Sequence, residues 1–217
     1  MNTTKKGFTL LELLIVIGIL AILSSVTVLV LNPAELLRQA RDTQRINDLG
    51  AINNALALYS GTAASIDLDG SGGLGTRYSH ASYSGGGVSG GSGTASATAA
   101  FGASNCAGDV STVATSANRT VLGSGWLPVD FGDISGGTPL AVLPVDPSTG
   151  VNATVSTVDD WPLIYWYEGS TASTTWELAA KMESTRYKKG GTNDVSTNDG
   201  GTCDHWYEIG TQPGLNF

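Results

Sequence analysis

The chain has 217 residues, with 11 Lys and Arg against 19 Asp and Glu and a formal net charge of −8. That length suits one membrane segment and one moderate domain. The acidic balance excludes a general nucleic-acid or anionic-lipid binder, because counterion release needs clustered cations. The 29 glycines, with abundant Ser and Thr, describe a loop-rich, weakly charged surface.

The first element is the stretch KKGFTLLELLIVIGILAIL. Lys5 and Lys6 precede an apolar run in which Glu12 is the only charge between Phe8 and Leu31. As a helix this run rises ~36 Å, enough to cross a hydrocarbon core of ~30 Å. Lysines upstream and none directly after it place the N-terminus in the cytoplasm and the rest of the chain outside. A carboxylate at the centre of such a span costs about 2.5–3.5 kcal/mol on insertion scales, so it needs a partner or a task. An ordinary secretory signal would end in a small-residue cleavage site, yet the run continues past AILSS through VTVLVL. A plain single-span anchor explains the length and leaves Glu12 unexplained.

These residues resemble the class III signal and N-terminal helix of type IV prepilins and pseudopilins. The resemblance rests on the basic leader, on Gly7, Phe8, Thr9 and Leu10, and on the acid at Glu12. It is strong over about the first 30 residues and extends in layout over the first ~60. It implies cleavage between Gly7 and Phe8 by a membrane prepilin peptidase, which also methylates the new Phe8 amine. It further implies that Glu12 pairs with the terminal amine of a neighbouring subunit during filament assembly. The partners it implies are other pilins or pseudopilins, the peptidase, and an assembly platform driven by a separate ATPase.

The next segment, residues 32–59, has a helical pattern. Asn32 suits an N-cap and Pro33 the first helical position, or Pro33 kinks one continuous helix. Leu36, Leu37, Ala40, Ile46, Leu49, Ile52, Leu56 and Tyr59 form an apolar stripe, which assigns Arg38, Arg41, Asp42, Arg45 and Asp48 to other faces.

A glycine-rich stretch follows, expected as a long loop with at most short strands. Within it, Asp67, Asp69 and Ser71 stand at alternate positions with Gly72 sixth, like half of an EF-hand loop, but Tyr78 replaces the closing Glu. A second oxygen-rich cluster holds Asn193, Asp194, Asn198 and Asp199. The family resemblance implies a calcium site in a C-terminal loop. The competing reading of both clusters is Asx turns, with no cofactor required.

Toward the C-terminus, LPVDP resembles a loop motif of pseudopilins and similar pilins, and is equally an ordinary Pro-rich turn. WPLIYWYE and TTWELAAKME, joined by GSTAST, predict a hairpin whose second strand buries only the face of Trp176, Leu178, Ala180 and Met182. HWYEIG predicts a further strand. Trp161, Tyr165, Trp166 and Tyr167 suit a core better than a sugar platform. Cys106 and Cys203 lack CxxC spacing and lie in the extracytoplasmic part, where disulfides persist. A bridge between them is the expectation, with two unrelated buried thiols as the alternative. His80 and His205 are isolated, and no GxSxG, Walker A or HExxH pattern marks an enzyme.

The expected fold is α+β: a long N-terminal helix, half membrane and half amphipathic, on a C-terminal antiparallel sheet with Gly-rich loops. The expected divisions are a leader at 1–7, a transmembrane and assembly helix at 8–31, an amphipathic helix at 32–59 and an extracytoplasmic domain at 60–217. The leading function is a structural subunit of a type IV pilus-like filament, extracellular or periplasmic. The alternatives are a pseudopilin of a type II secretion system and a membrane-anchored surface-binding protein.

Overall fold

The computed structural model describes residues 7–73, 76–80, 112–148 and 163–213. They fall into two compact units, residues 1–38 and 39–217.

In the first unit, helix α1 spans Leu10–Leu31. It has no polar face: the window Leu10–Val28 has a mean hydropathy of 2.5 and none of it is buried. A helix that is apolar all round belongs in lipid or against other helices. Its hydroxyls suit such surroundings, since Ser25 Oγ donates to the Ile22 carbonyl at 2.8 Å and Thr27 Oγ1 to that of Leu23 at 2.6 Å. The helix stops at Asn32, whose φ of 40° is left-handed. Asn tolerates that region better than most residues. Asn32 occupies the expected N-cap position of the next helix, where its backbone carbonyl accepts from the Glu35 and Leu36 amides. Helix α2, Pro33–Thr62, then begins with Pro33, whose missing N–H is harmless at that position.

Within the second unit, α2 buries Asp42, Arg45, Leu49, Ile52, Ala55, Leu56 and Tyr59, a stripe at helical spacing. Its apolar part meets a sheet of five strands: β1 Thr76–Ser79, β2 Thr112–Thr115, β3 Tyr165–Ser170, β4 Thr175–Ala180 and β5 Tyr207–Gly210. The strand order is β2-β1-β3-β4-β5. Four strands form the expected antiparallel sheet, and β2 joins β1 in parallel at one edge. Leu49, Ile52 and Leu56 pack with Tyr165, Tyr167 and Leu178. Tyr59 meets Phe131 edge-on at a centroid distance of 6.1 Å.

The hairpin β3–β4 forms as expected, with Ser170 opposite Thr175 and a loop of residues 171–174. The expectation of one buried face on β4 is corrected: Glu177 and Ala179 are buried as well. The second face is covered because Trp206 stacks edge-on against Trp166 at 6.0 Å and the Arg77 guanidinium lies 4.3 Å over the Trp166 ring. Arg77 also bonds Glu168 at 2.7 Å, so the charge is neutralised where it is buried. Tyr165, Trp166 and Tyr167 are core, while Trp161 lies outside the described residues.

Candidate functional site: the N-terminal segment and the network behind the C-terminal unit

Gly7, Phe8 and Thr9 precede α1 in extended or irregular backbone, and Phe8 is 90% exposed. Thr9 is the N-cap of α1, and Thr9-Leu10-Leu11-Glu12 closes a complete capping box. Thr9 Oγ1 accepts from the Glu12 amide at 3.2 Å. In return, the Thr9 amide and hydroxyl donate to Glu12 Oε2 at 3.2 and 3.1 Å. Both return bonds converge on one carboxylate oxygen. The Glu12 carboxylate thereby sits at the positive end of the helix dipole, in the first turn of α1 and four residues after the exposed Phe8. The Thr-x-x-Glu spacing carried this signal in the sequence, although Thr9 was read only as part of the leader pattern. Lys5 and Lys6 lie outside the described residues.

Charged residues of α2 expected on outer faces turn inward instead, and this is a correction. Asp42 and Arg45 are fully buried. Polarity alone assigns such residues to solvent, but here each charge finds partners that local sequence does not reveal. Arg45 bonds Asp42 at 2.7 Å, Glu183 at 2.6 Å and both oxygens of Asp146 at 2.6 and 2.8 Å. Asp42 accepts from the backbone amides of Glu183 and Ser184 at 2.9 and 2.8 Å. Arg41 completes the set with a two-pronged bond to Glu183 at 2.9 and 2.6 Å. Asp146 is the aspartate of LPVDP, so that motif supplies the buried counter-ion of the helix. Burial pushes the Glu183 carboxyl up, but the Arg41 and Arg45 hydrogen bonds outweigh it and hold the group down at about 2. Nearby, Asp48 accepts from Tyr165 Oη at 2.9 Å. The His80 ring lies 5.7 Å from that of Tyr165 and 6.1 Å from that of Trp126. Burial pushes its imidazole down to about 4 against a weaker opposing pull from Asp146.

The two oxygen-rich clusters are placed apart from this network. Asp67 Oδ1 accepts from the Gly70 amide at 2.8 Å, and Asp69 accepts from the Thr171 hydroxyl. Ser71 lies in a single 3₁₀ turn, Gly70–Gly72. Tyrosine hydroxyls pin the same loop: Tyr78 donates to the Asp69 carbonyl at 2.6 Å and Tyr167 to that of Leu68 at 2.7 Å. Gly169 permits the second contact, since a Cβ there would lie 2.5 Å from the Leu68 carbonyl. Asp194, Asn198 and Asp199 line a cavity of about 440 Å³ beside β5. Among the described residues, no three His, Cys, Asp or Glu side chains are grouped to hold a metal ion. Cys203 is buried and disulfide-bonded, while Cys106 lies outside the described residues.

Residues 2–28 match the family model described as the prokaryotic N-terminal methylation motif. The chain carries a prepilin-type signal. With the apolar helix that follows, this motif supports a type IV pilin-like or pseudopilin-type protein and fits a membrane-anchored chain. No curated protein and no solved structure matches the chain.

Proposed function

We propose that this chain is a structural subunit of a type IV pilus-like filament, made as a prepilin in the cytoplasmic membrane. The leader, Met1–Gly7, stays cytoplasmic with Lys5 and Lys6, and the peptidase cuts between Gly7 and Phe8 and methylates Phe8. The observation that carries this reading is the meeting of a methylation motif over residues 2–28 with a capping box that fixes Glu12 against Thr9, the residue after Phe8. Cleavage turns the Phe8 amide nitrogen into an amine, a cation that needs a counter-charge in low dielectric. Glu12 of a neighbouring subunit supplies it, with Oε1 left for that bond while Thr9 occupies Oε2. The apolar surface of α1 then leaves lipid for a bundle of identical helices, where Gly18 allows close approach.

A pseudopilin of a type II secretion system is the second reading, favoured by the LPVDP segment and its buried Asp146. A surface-binding anchor is less well supported, because Tyr165, Trp166 and Tyr167 are buried and offer no stacking platform. The test is mass spectrometry of the mature N-terminus. A chain beginning at methylated Phe8 supports a prepilin, and an intact Met1 leader or cleavage near Ser24 contradicts it.

A further inference from the structure

The family resemblance implies calcium in a C-terminal loop, and the chemistry of this loop can be compared with that requirement. Calcium is held by oxygens that still have lone pairs to give. An ionised carboxylate has about four such sites. Asp194 uses four of them on its own loop: Oδ1 accepts from the Ser196 and Thr197 amides, each at 3.0 Å. Oδ2 accepts from the Gly190 amide at 2.7 Å and from Thr197 Oγ1 at 2.8 Å. Each oxygen of Asp199 is also engaged, by the Gly201 amide at 2.9 Å and the Glu208 amide at 2.7 Å. Asn198 acts as a donor, its Nδ2 pointing to the Asp194 carbonyl at 3.1 Å. The loop therefore converges N–H groups on a carboxylate, the opposite polarity to a cation cradle.

We propose that the Asp194 carboxylate orders residues 190–199 in place of a cation, so that this loop is calcium-independent. Asp194 does not fit the metal because its four acceptor sites are already taken, and each oxygen of Asp199 already accepts one backbone amide. Desolvation works against the Asp194 charge, but the Gly190 and Thr197 bonds prevail and keep its carboxyl below the usual range. The same loop is tied down by Lys189, which bonds Asp204 at 2.8 Å.

Trypsin reads this loop directly, because Arg186, Lys188 and Lys189 are exposed and flank it. The experiment uses the full chain in detergent, with cleavage after these residues timed in excess chelator and in millimolar calcium. Equal wild-type rates in the two buffers are expected. Asp194→Ala should be cut at least about tenfold faster in both, since even one of the four charge-assisted hydrogen bonds it loses is worth that gain in open population. Asp194→Asn, which keeps one acceptor oxygen, should fall between the two and serves if the alanine variant does not fold. Wild-type cleavage that accelerates in chelator and is restored by calcium would overturn the proposal. So would an Asp194 variant cut at the wild-type rate.

Discussion

Arg45 and Asp146 are 101 positions apart and meet in two hydrogen bonds of 2.6 and 2.8 Å, both side chains fully buried. This bidentate bond ties α2 to the loop after Leu143, and Asp42 and Glu183 extend it to the chain leaving β4. Removing Arg45 strands acidic partners in a low dielectric, which typically costs about 3–5 kcal/mol. Arg45→Ala is therefore expected to unfold the second unit or sharply lower its thermal midpoint. Arg45→Lys should also be destabilising, because an ammonium cannot form the planar two-bond contact. Thermal unfolding of the two variants beside wild type is the check, with a midpoint unchanged in both counting against the network.

The parts of this fold that sequence made legible are local. The leader motif, the apolar run, the 171–174 hairpin loop and the stripe Leu49, Ile52, Leu56 all follow from spacing within a few residues. Asp42 and Arg45 continue that stripe at i and i+3, yet their charge assigned them outward, because their counter-ions arrive from distant segments. LPVDP was recognised as a motif, while its task as a counter-ion loop depended on tertiary contact. The parallel pairing of β2 was equally hidden, since a crossover carries no turn signature of its own. Glu12 was legible as an anomaly; the bond from Thr9 that steadies it was legible only in the Thr-x-x-Glu spacing.

Thr9 offers a separate test of the N-terminal segment. Thr9→Val keeps the β-branched shape and removes both the oxygen that caps Glu12 and the hydroxyl that bonds its carboxylate. Loss of an N-cap of this kind costs about 0.5–2 kcal/mol. Amide exchange at Glu12 in detergent should rise in Thr9→Val and stay near wild type in Thr9→Ser. Equal protection in all three would remove the capping box from the account.

Acid should weaken the second unit in two stages. The buried His80 has a folded value of about 4 against an ordinary 6.5, so the unfolded chain takes the proton first. Its contribution is whole above pH 6.5 and is lost as pH falls toward 4, by at most about 3 kcal/mol. Glu183, held at about 2 against an ordinary 4.5, contributes above pH 4.5 and loses that as pH falls further. Denaturation midpoints measured from pH 7 to 3 should show both. His80→Phe should flatten the segment between pH 6.5 and 4 and leave the lower one; a slope unchanged in that variant would contradict the assignment.

Cys203 has only Cys106 as a partner within this chain of two cysteines. Their bridge closes a loop of about 98 residues and should contribute roughly 4–5 kcal/mol by restricting the unfolded chain. Protein purified without reductant and then unfolded should expose no titratable thiol. Reduction should lower the thermal midpoint, whereas two free thiols would exclude the bridge.

Glu12→Gln tests the central proposal most directly. The substitution keeps size and most of the helix propensity and removes a charge from the membrane, so insertion should be no harder. If Glu12 is the counter-charge for a neighbour's Phe8 amine, each subunit contact then buries an unpaired cation at a cost of about 3–5 kcal/mol. The measurement is the yield of sheared filaments relative to the membrane pool for the two forms. The account predicts a variant that is inserted and cleaved normally and is absent from the filament fraction. A normal filament yield would contradict it.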